Sequence, residues 1–82
     1  MAYVYILQSI HHTERFYVGT TQDIERRLLE HNTGKSHYTS RHRPWKLVVS
    51  IWFSAQDAAL NFEKYLKSGS GRAFAKRHFP PD

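Results

Sequence analysis

Five side chains in this sequence combine in a way that a hydrophobic core does not call for: Tyr5, Tyr17, Arg27, His31 and Glu63. The run Ile24-Glu-Arg-Arg-Leu-Leu-Glu-His31 has a helical pattern, preceded by Asp23 as a cap and followed by Asn32-Thr33-Gly34 as a stop. At about 100° per residue, with Ile24 at zero, Leu28 falls at about 40°, His31 at about −20° and Arg27 at about −60°. Arg27 and His31 therefore share the apolar stripe. In the segment around Ala59, the same count places Phe62 at about −60°, Leu66 at about −20° and Glu63 at about 40°, so an acid also turns inward. The plainer reading is a snorkelling arginine, a hydrogen-bonded core histidine and a salt bridge between Glu63 and Arg27. An unpaired inward carboxylate is costly, so Glu63 must meet Arg27, a lysine or a bound divalent metal.

Phosphodiester hydrolysis has a use for every one of these groups. It needs a positioned, activated water, neutralised nonbridging oxygens and a stabilised leaving oxygen. Glu63 is suited to hold one Mg²⁺ or Mn²⁺, since such an ion keeps most of its waters and needs one or two carboxylates. The permanently charged, forked Arg27 suits phosphate oxygens. Tyr5, Tyr17 or His31 could place or deprotonate the water, although a phenol with its ordinary pKa of about 10 is a poor base until neighbouring cations lower it.

The elements that must position these groups follow from pattern. Residues 2–8 and 15–20 are rich in aromatic and β-branched side chains and read as strands, and the short polar segment between them predicts an antiparallel hairpin. Tyr3, Tyr5 and Leu7 share one strand face, as do Tyr17 and Gly19. After the first helix, residues 35–45 lack an apolar period and read as a loop. Leu47–Phe53 reads as a mostly apolar third strand, covered on both faces or central. Ser54-Ala-Gln-Asp57 resembles a capping box opening a helix to Leu66 or Lys67, with Gly69 and Gly71 ending it. A short helix over 72–77 then precedes Pro80-Pro81. The order β, β, α, β, α, α predicts a small α/β or α+β fold over residues 1–82 as a single domain.

The chain has 82 residues, no cysteine, 12 Lys plus Arg against 7 Asp plus Glu, six histidines and a net charge of +5. No disulfide or thiolate zinc site can support it, so packing must, and the aromatic residues supply the bulk. Its apolar runs are too short to span a bilayer and its first residues lack the charged start of a signal peptide, which predicts a cytoplasmic protein. The positive charge predicts a polyanionic partner, DNA first, while the sequence leaves open a homodimer or a partner protein. Adjacent His11 and His12 do not have ligand spacing on a helix face and are assigned no metal. The 35–45 loop interleaves Lys35, His37, Arg41, His42 and Arg43 with Tyr38 and Trp45, a composition suited to backbone contact and base stacking, with Thr39 also within the phosphate-reaching segment. Lys64, Lys67, Arg72, Lys76 and Arg77 form a second basic cluster. Such contacts carry no sequence preference, so branched or damaged DNA, or a target supplied by a partner, is the expected substrate.

The segments holding the five residues resemble the GIY-YIG nuclease superfamily, in particular small single-domain members similar to the nuclease domain of the repair protein UvrC. Tyr3-Val4-Tyr5 stands at the first tripeptide and Tyr17-Val18-Gly19 at the second, followed by Arg27, then His31 in Glu30-His31-Asn32, and Glu63. The resemblance implies a three-stranded antiparallel sheet flanked by about three helices, a divalent-metal DNA endonuclease site with Glu63 as metal ligand, and a tyrosine as general base, with Tyr17 favoured. The sequence departs from the family pattern at Tyr3 in place of a glycine, at Thr20 where some members carry lysine, and in having no asparagine after Glu63. Lys35 is then a substitute cation for the tyrosine, and Lys67 and Ser68 are candidates to complete the site. The alternative is a non-catalytic nucleic-acid-binding module on the same scaffold, and phosphate contacts alone do not separate DNA from RNA.

Overall fold

The aromatic and β-branched residues after Met1 form β1 (Ala2–Ser9), which returns through a hairpin into β2 (Phe16–Thr21). The computed structural model describes residues 2–80, so Pro81 of the expected tail lies outside the described residues. The hairpin closes through Ser9 N–H donating to the Arg15 carbonyl at 3.0 Å and Arg15 N–H to that of His12 at 2.8 Å. Asp23 caps α1 (Ile24–Asn32), its carboxylate accepting from the Arg26 N–H at 3.1 Å. Past the helix Gly34 takes φ +83°, a left-handed conformation open to glycine at no steric cost.

The expected loop contains one 3₁₀ turn, Ser40–His42, and ends sooner than its composition suggests, because β3 (Trp45–Phe53) starts two residues before Leu47. Asn32 sets that start: its side chain bonds both the N–H and the carbonyl of Trp45, the latter at 3.0 Å. The three strands form an antiparallel sheet in the order β2-β1-β3. β3 is therefore an edge strand rather than a central one, and Trp52 on it is 53% exposed. Apolar content could not separate the two positions. β1 is the buried centre, flanked by its hairpin partner and by the strand that returns on its other side. The β1–β3 pairing slips by one residue between Ile6 and Leu7, a bulge.

Alternation on β1 divides the core. Ala2, Val4 and Ile6 pack with Ala59 and Leu66 of α2 (Gln56–Leu66), joined by Phe53, Phe62 and Phe74. Tyr5 and Leu7, on the opposite face, pack with Trp45 and against Tyr17, Ile24 and Leu28. The expected Ser54 capping box does not form: Ala55 is the cap residue and provides no side-chain bond, so Ser54 stands one position too early. Gly69 and Gly71 do not end α2 as expected but lie inside α3 (Gly69–His78), which Ser68 caps by accepting from the Gly71 N–H at 3.1 Å. A Cβ on Gly71 would collide with the Tyr65 carbonyl, so this glycine is what lets α3 turn tightly off the end of α2. No helix among the described residues is long and apolar enough to cross a membrane.

Candidate active site

Strand register brings the first two site residues together. Tyr5 pairs with Gly19 and Leu7 with Tyr17, so the two phenols are diagonal neighbours on one face, with ring centroids 6.2 Å apart. Gly19 is required by this arrangement, because a Cβ there would lie 2.5 Å from the Tyr5 hydroxyl oxygen. The α1 helix crosses the same face and presents His31, whose ring centre stands 4.8 Å from that of Tyr17 and 5.9 Å from that of Tyr5. The Tyr5 hydroxyl and His31 Nε2 are hydrogen-bonded at 2.9 Å, and His31 Nδ1 and the Thr39 hydroxyl at 2.7 Å. Tyr5, His31 and Thr39 are 2%, 0% and 1% exposed, so all three are buried.

Glu63 reaches the site from α2. Its Oε1 accepts from the Thr20 hydroxyl at 2.8 Å and its Oε2 from Lys67 Nζ at 2.9 Å. Of the partners the sequence allowed Glu63, a lysine is the one it meets, and the salt bridge of the plainer reading does not form, since Arg27 pairs with Glu30 one turn along its own helix at 2.9 Å. Tyr5, Tyr17, Thr20, Arg27 and Glu63 nevertheless line one open cleft of about 460 Å³, with Leu60 at its side. Four of the five candidate catalytic residues thus meet in one hollow, and His31 lies behind Tyr5 rather than in the cleft wall.

The electrostatics follow from this layout. Burial pushes the Tyr5 phenol up to about 12; the Arg27 guanidinium facing it pulls the other way, and the charges of Tyr17 and Glu63 add to the rise. Burial likewise depresses His31 to about 4, with the positive charge of Arg27 next in importance. Arg27 is held charged, above its ordinary value, chiefly by Glu30, and the Glu30 carboxyl is lowered chiefly by Arg27.

The donor set facing the cleft is oxygen only, the Glu63 carboxylate with the Thr20 hydroxyl bonded to it, which fits a hard divalent cation that retains its waters. Among the described residues there is no group of three or more His, Cys, Asp or Glu side chains that could cage a metal. Any Mg²⁺ or Mn²⁺ would therefore be held by Glu63, with substrate oxygens and water completing the shell, once Lys67 gives up Oε2.

The loop residues divide. Lys35, His37 and Arg41 are exposed, Arg43 is exposed and lies across the Gly34 backbone, and Tyr38 is 82% exposed with its ring 6.2 Å from that of Tyr17. Thr39 and Trp45 differ from the expectation of DNA contact. The Thr39 side chain is spent on His31, and Trp45 is a core residue whose Nε1–H donates to the Thr39 carbonyl at 2.9 Å. A loop without apolar period hides which of its residues turn inward. Lys35 exerts its charge on Glu30, Lys67 on Glu63, and Ser68 is a helix cap. Thr20 is the functional neighbour that sequence reasoning missed. The signal was available: Thr20 is out of phase with Tyr17 and Gly19, so it faces the side on which α2 packs.

Sheet order, helix placement and the cleft together define a GIY-YIG catalytic domain. The chain matches that family over residues 1–77 and belongs to it. It is 37% identical over 81 residues to a UPF0213 protein of Streptococcus agalactiae, covering 94% of this chain and 90% of that one. It is also 37% identical over 84 residues to the structure-specific endonuclease subunit SLX1 of Vanderwaltozyma polyspora, and 40% over 86 residues to that of Candida dubliniensis, with 94% and 96% of this chain covered. The chain spans 25% and 29% of the length of those two subunits. A solution structure of a UPF0213 protein from Bacillus halodurans superposes with a TM-score of 0.58 at 30% identity, covering 99% of this chain and 89% of that one.

Proposed function

We propose that this chain is a divalent-metal-dependent endonuclease that hydrolyses DNA phosphodiester bonds, directed by branch or damage structure with little sequence preference, in repair or recombination. One observation carries the reading: an acid from α2, a guanidinium from α1 and two phenols from the sheet face one solvent-open cleft. Membership of the GIY-YIG family and likeness to subunits named as structure-specific endonucleases support it.

In this reading Arg27 binds the nonbridging oxygens of the scissile phosphate, exchanging Glu30 for the substrate, and Glu63 holds the metal, which when bound polarises the phosphoryl group. Tyr17 is the general base. The alternative base, Tyr5, would pass its proton to His31, and burial opposes that transfer at both ends, raising the phenol and depressing the imidazole. Tyr17 is only half-buried and stands beside the cleft without such a partner. Lys35, His37, Tyr38, Arg41, Arg43 and Lys67 supply contacts to DNA outside the cleft.

Cleavage of nicked, flapped and four-way DNA, with matched RNA strands, tests this in Mg²⁺ and Mn²⁺. Glu63→Ala and Arg27→Ala are each expected to lower the rate at least about a hundredfold with the fold intact. Cutting by both variants at the wild-type rate ends the proposal. Lys67, already seated on Glu63, favours one second reading, a binding module without chemistry; its mark is DNA affinity with no cleavage in either metal.

A further inference from the structure

The buried chain behind the cleft has two ends whose hydrogen-bonding roles cannot change. At one end Arg27, a group with donors only, lines the same cleft as Tyr5. At the other the Ser36 carbonyl, an acceptor only, lies 3.4 Å from the Thr39 hydroxyl oxygen. Between them run the 2.9 Å contact of Tyr5 with His31 Nε2 and the 2.7 Å contact of His31 Nδ1 with Thr39. A neutral imidazole offers one donor and one acceptor, so the chain admits two polarities.

If Nε2 carried the proton, Tyr5 would accept from it and turn its own O–H toward the donors of Arg27, donor against donor. Thr39 would at the same time give its proton to Nδ1 and leave the Ser36 carbonyl. If Nδ1 carries the proton, Nδ1–H donates to Thr39, Thr39 donates to Ser36, and the bare Nε2 accepts from Tyr5. The Tyr5 oxygen then presents its lone pairs to Arg27. The Arg27 end favours the second arrangement, and at the other end that arrangement gives the Ser36 carbonyl, which already accepts from the Thr39 N–H, a further donor.

We propose that Thr39, anchored on the Ser36 carbonyl, is a positioning residue that locks His31 as the Nδ1–H tautomer and thereby makes Tyr5 a fixed acceptor that aims Arg27 into the cleft. The tautomer follows from the partners of Tyr5, His31 and Thr39, whereas its consequence for cleavage rests on the nuclease reading. Thr39 is itself tied down, because its carbonyl accepts from Trp45 Nε1–H at 2.9 Å and its N–H donates to Ser36 at 3.2 Å. The loop that carries it therefore has a structural task, holding the far end of the relay, that is separate from its exposed charges.

The test is ¹⁵N NMR of the histidine rings in the intact chain at neutral pH, with His31→Gln for assignment. Wild type is expected to show a protonated Nδ1 and a bare Nε2 at His31, and a protonated Nε2 overturns the proposal. Thr39→Ser keeps the hydroxyl and is expected to keep the tautomer, and a switched tautomer in Thr39→Ser also overturns it. Thr39→Val removes the acceptor and is expected to lose the single Nδ1–H form. Where Thr39→Val fails to fold, the wild-type and serine spectra decide. In cleavage, Thr39→Val is expected to lower kcat by about ten- to a hundredfold with rescue by Thr39→Ser. A folded Thr39→Val with the wild-type tautomer and rate overturns the proposal. An inert wild type showing the expected tautomer refutes the nuclease reading and leaves the positioning of Tyr5 standing.

Discussion

At the scale of single residues, the two tyrosines are chemically alike and differ only in surroundings. Tyr5 is buried and bonded to His31, while Tyr17 stands at the rim beside exposed Tyr38. Replacing Tyr17 by Phe is expected to remove at least about a hundredfold in kcat. Tyr5→Phe is expected to lower the rate by less, about tenfold, since it disturbs Arg27 and not the base. The reverse pattern in steady-state kinetics would make Tyr5 the base. His31 also predicts a stability effect. It titrates near 6.5 when unfolded and about 4 in the fold, so the unfolded chain binds more protons between those values. Its contribution is complete above about 6.5 and is lost as pH falls through about 4, up to about 3 kcal/mol in all. Around it, Arg27 opposes protonation, Glu30 favours it, and Tyr5, Tyr17 and Thr39 contribute dipoles. Urea unfolding at pH 7 and pH 4 is expected to show a smaller loss for His31→Gln than for wild type.

At the scale of elements, the junction of α2 and α3 shows where glycine is needed and where it is incidental. Around Gly69 a Cβ would meet nothing within 4 Å, whereas at Gly71 it would strike the Tyr65 carbonyl, which cannot move without unwinding α2. Gly69→Ala is expected to be neutral or to stabilise by up to about 1 kcal/mol. Gly71→Ala is expected to destabilise by about 2 kcal/mol or more, despite the better helix propensity of alanine. Thermal unfolding of the pair checks this, and equal melting temperatures would show that α3 does not need its close turn. The pattern of residues 54–79 marked helix, break, helix, but both glycines were assigned to the break. A short-range rule treats glycine as punctuation, and only the contact between helices shows that Gly71 is there for close approach.

At the scale of the whole molecule, the proposed nucleic-acid binding is expected to be strongly salt-dependent, given a net charge of +5 on 82 residues. The exposed cations of the 35–45 segment are expected to account for part of the slope. Lys35→Ala and Arg41→Ala should each reduce the slope of log affinity against log salt by about one on duplex DNA, equally across sequences. Fluorescence anisotropy at several salt concentrations checks it, and unchanged slopes would move the DNA path off this loop. Arg43 is the less clear test, because its guanidinium also packs on Gly34.

Periodicity alone determined that this chain has strands where aromatic and β-branched residues alternate and helices where apolar residues recur every three to four, and it turned Arg27, His31 and Glu63 inward before any coordinates. These are short-range properties, because the direction of a side chain follows from its place in its own element. Tertiary structure decided the partners. Glu63 met Thr20 and Lys67 rather than Arg27, β1 rather than β3 took the centre, and Thr39 and Trp45 went from the surface of a loop into the core beside His31. The Lys67 contact is local, one turn along from Glu63, but the others depend on which groups from separate elements meet, and that is settled only when all the elements pack at once.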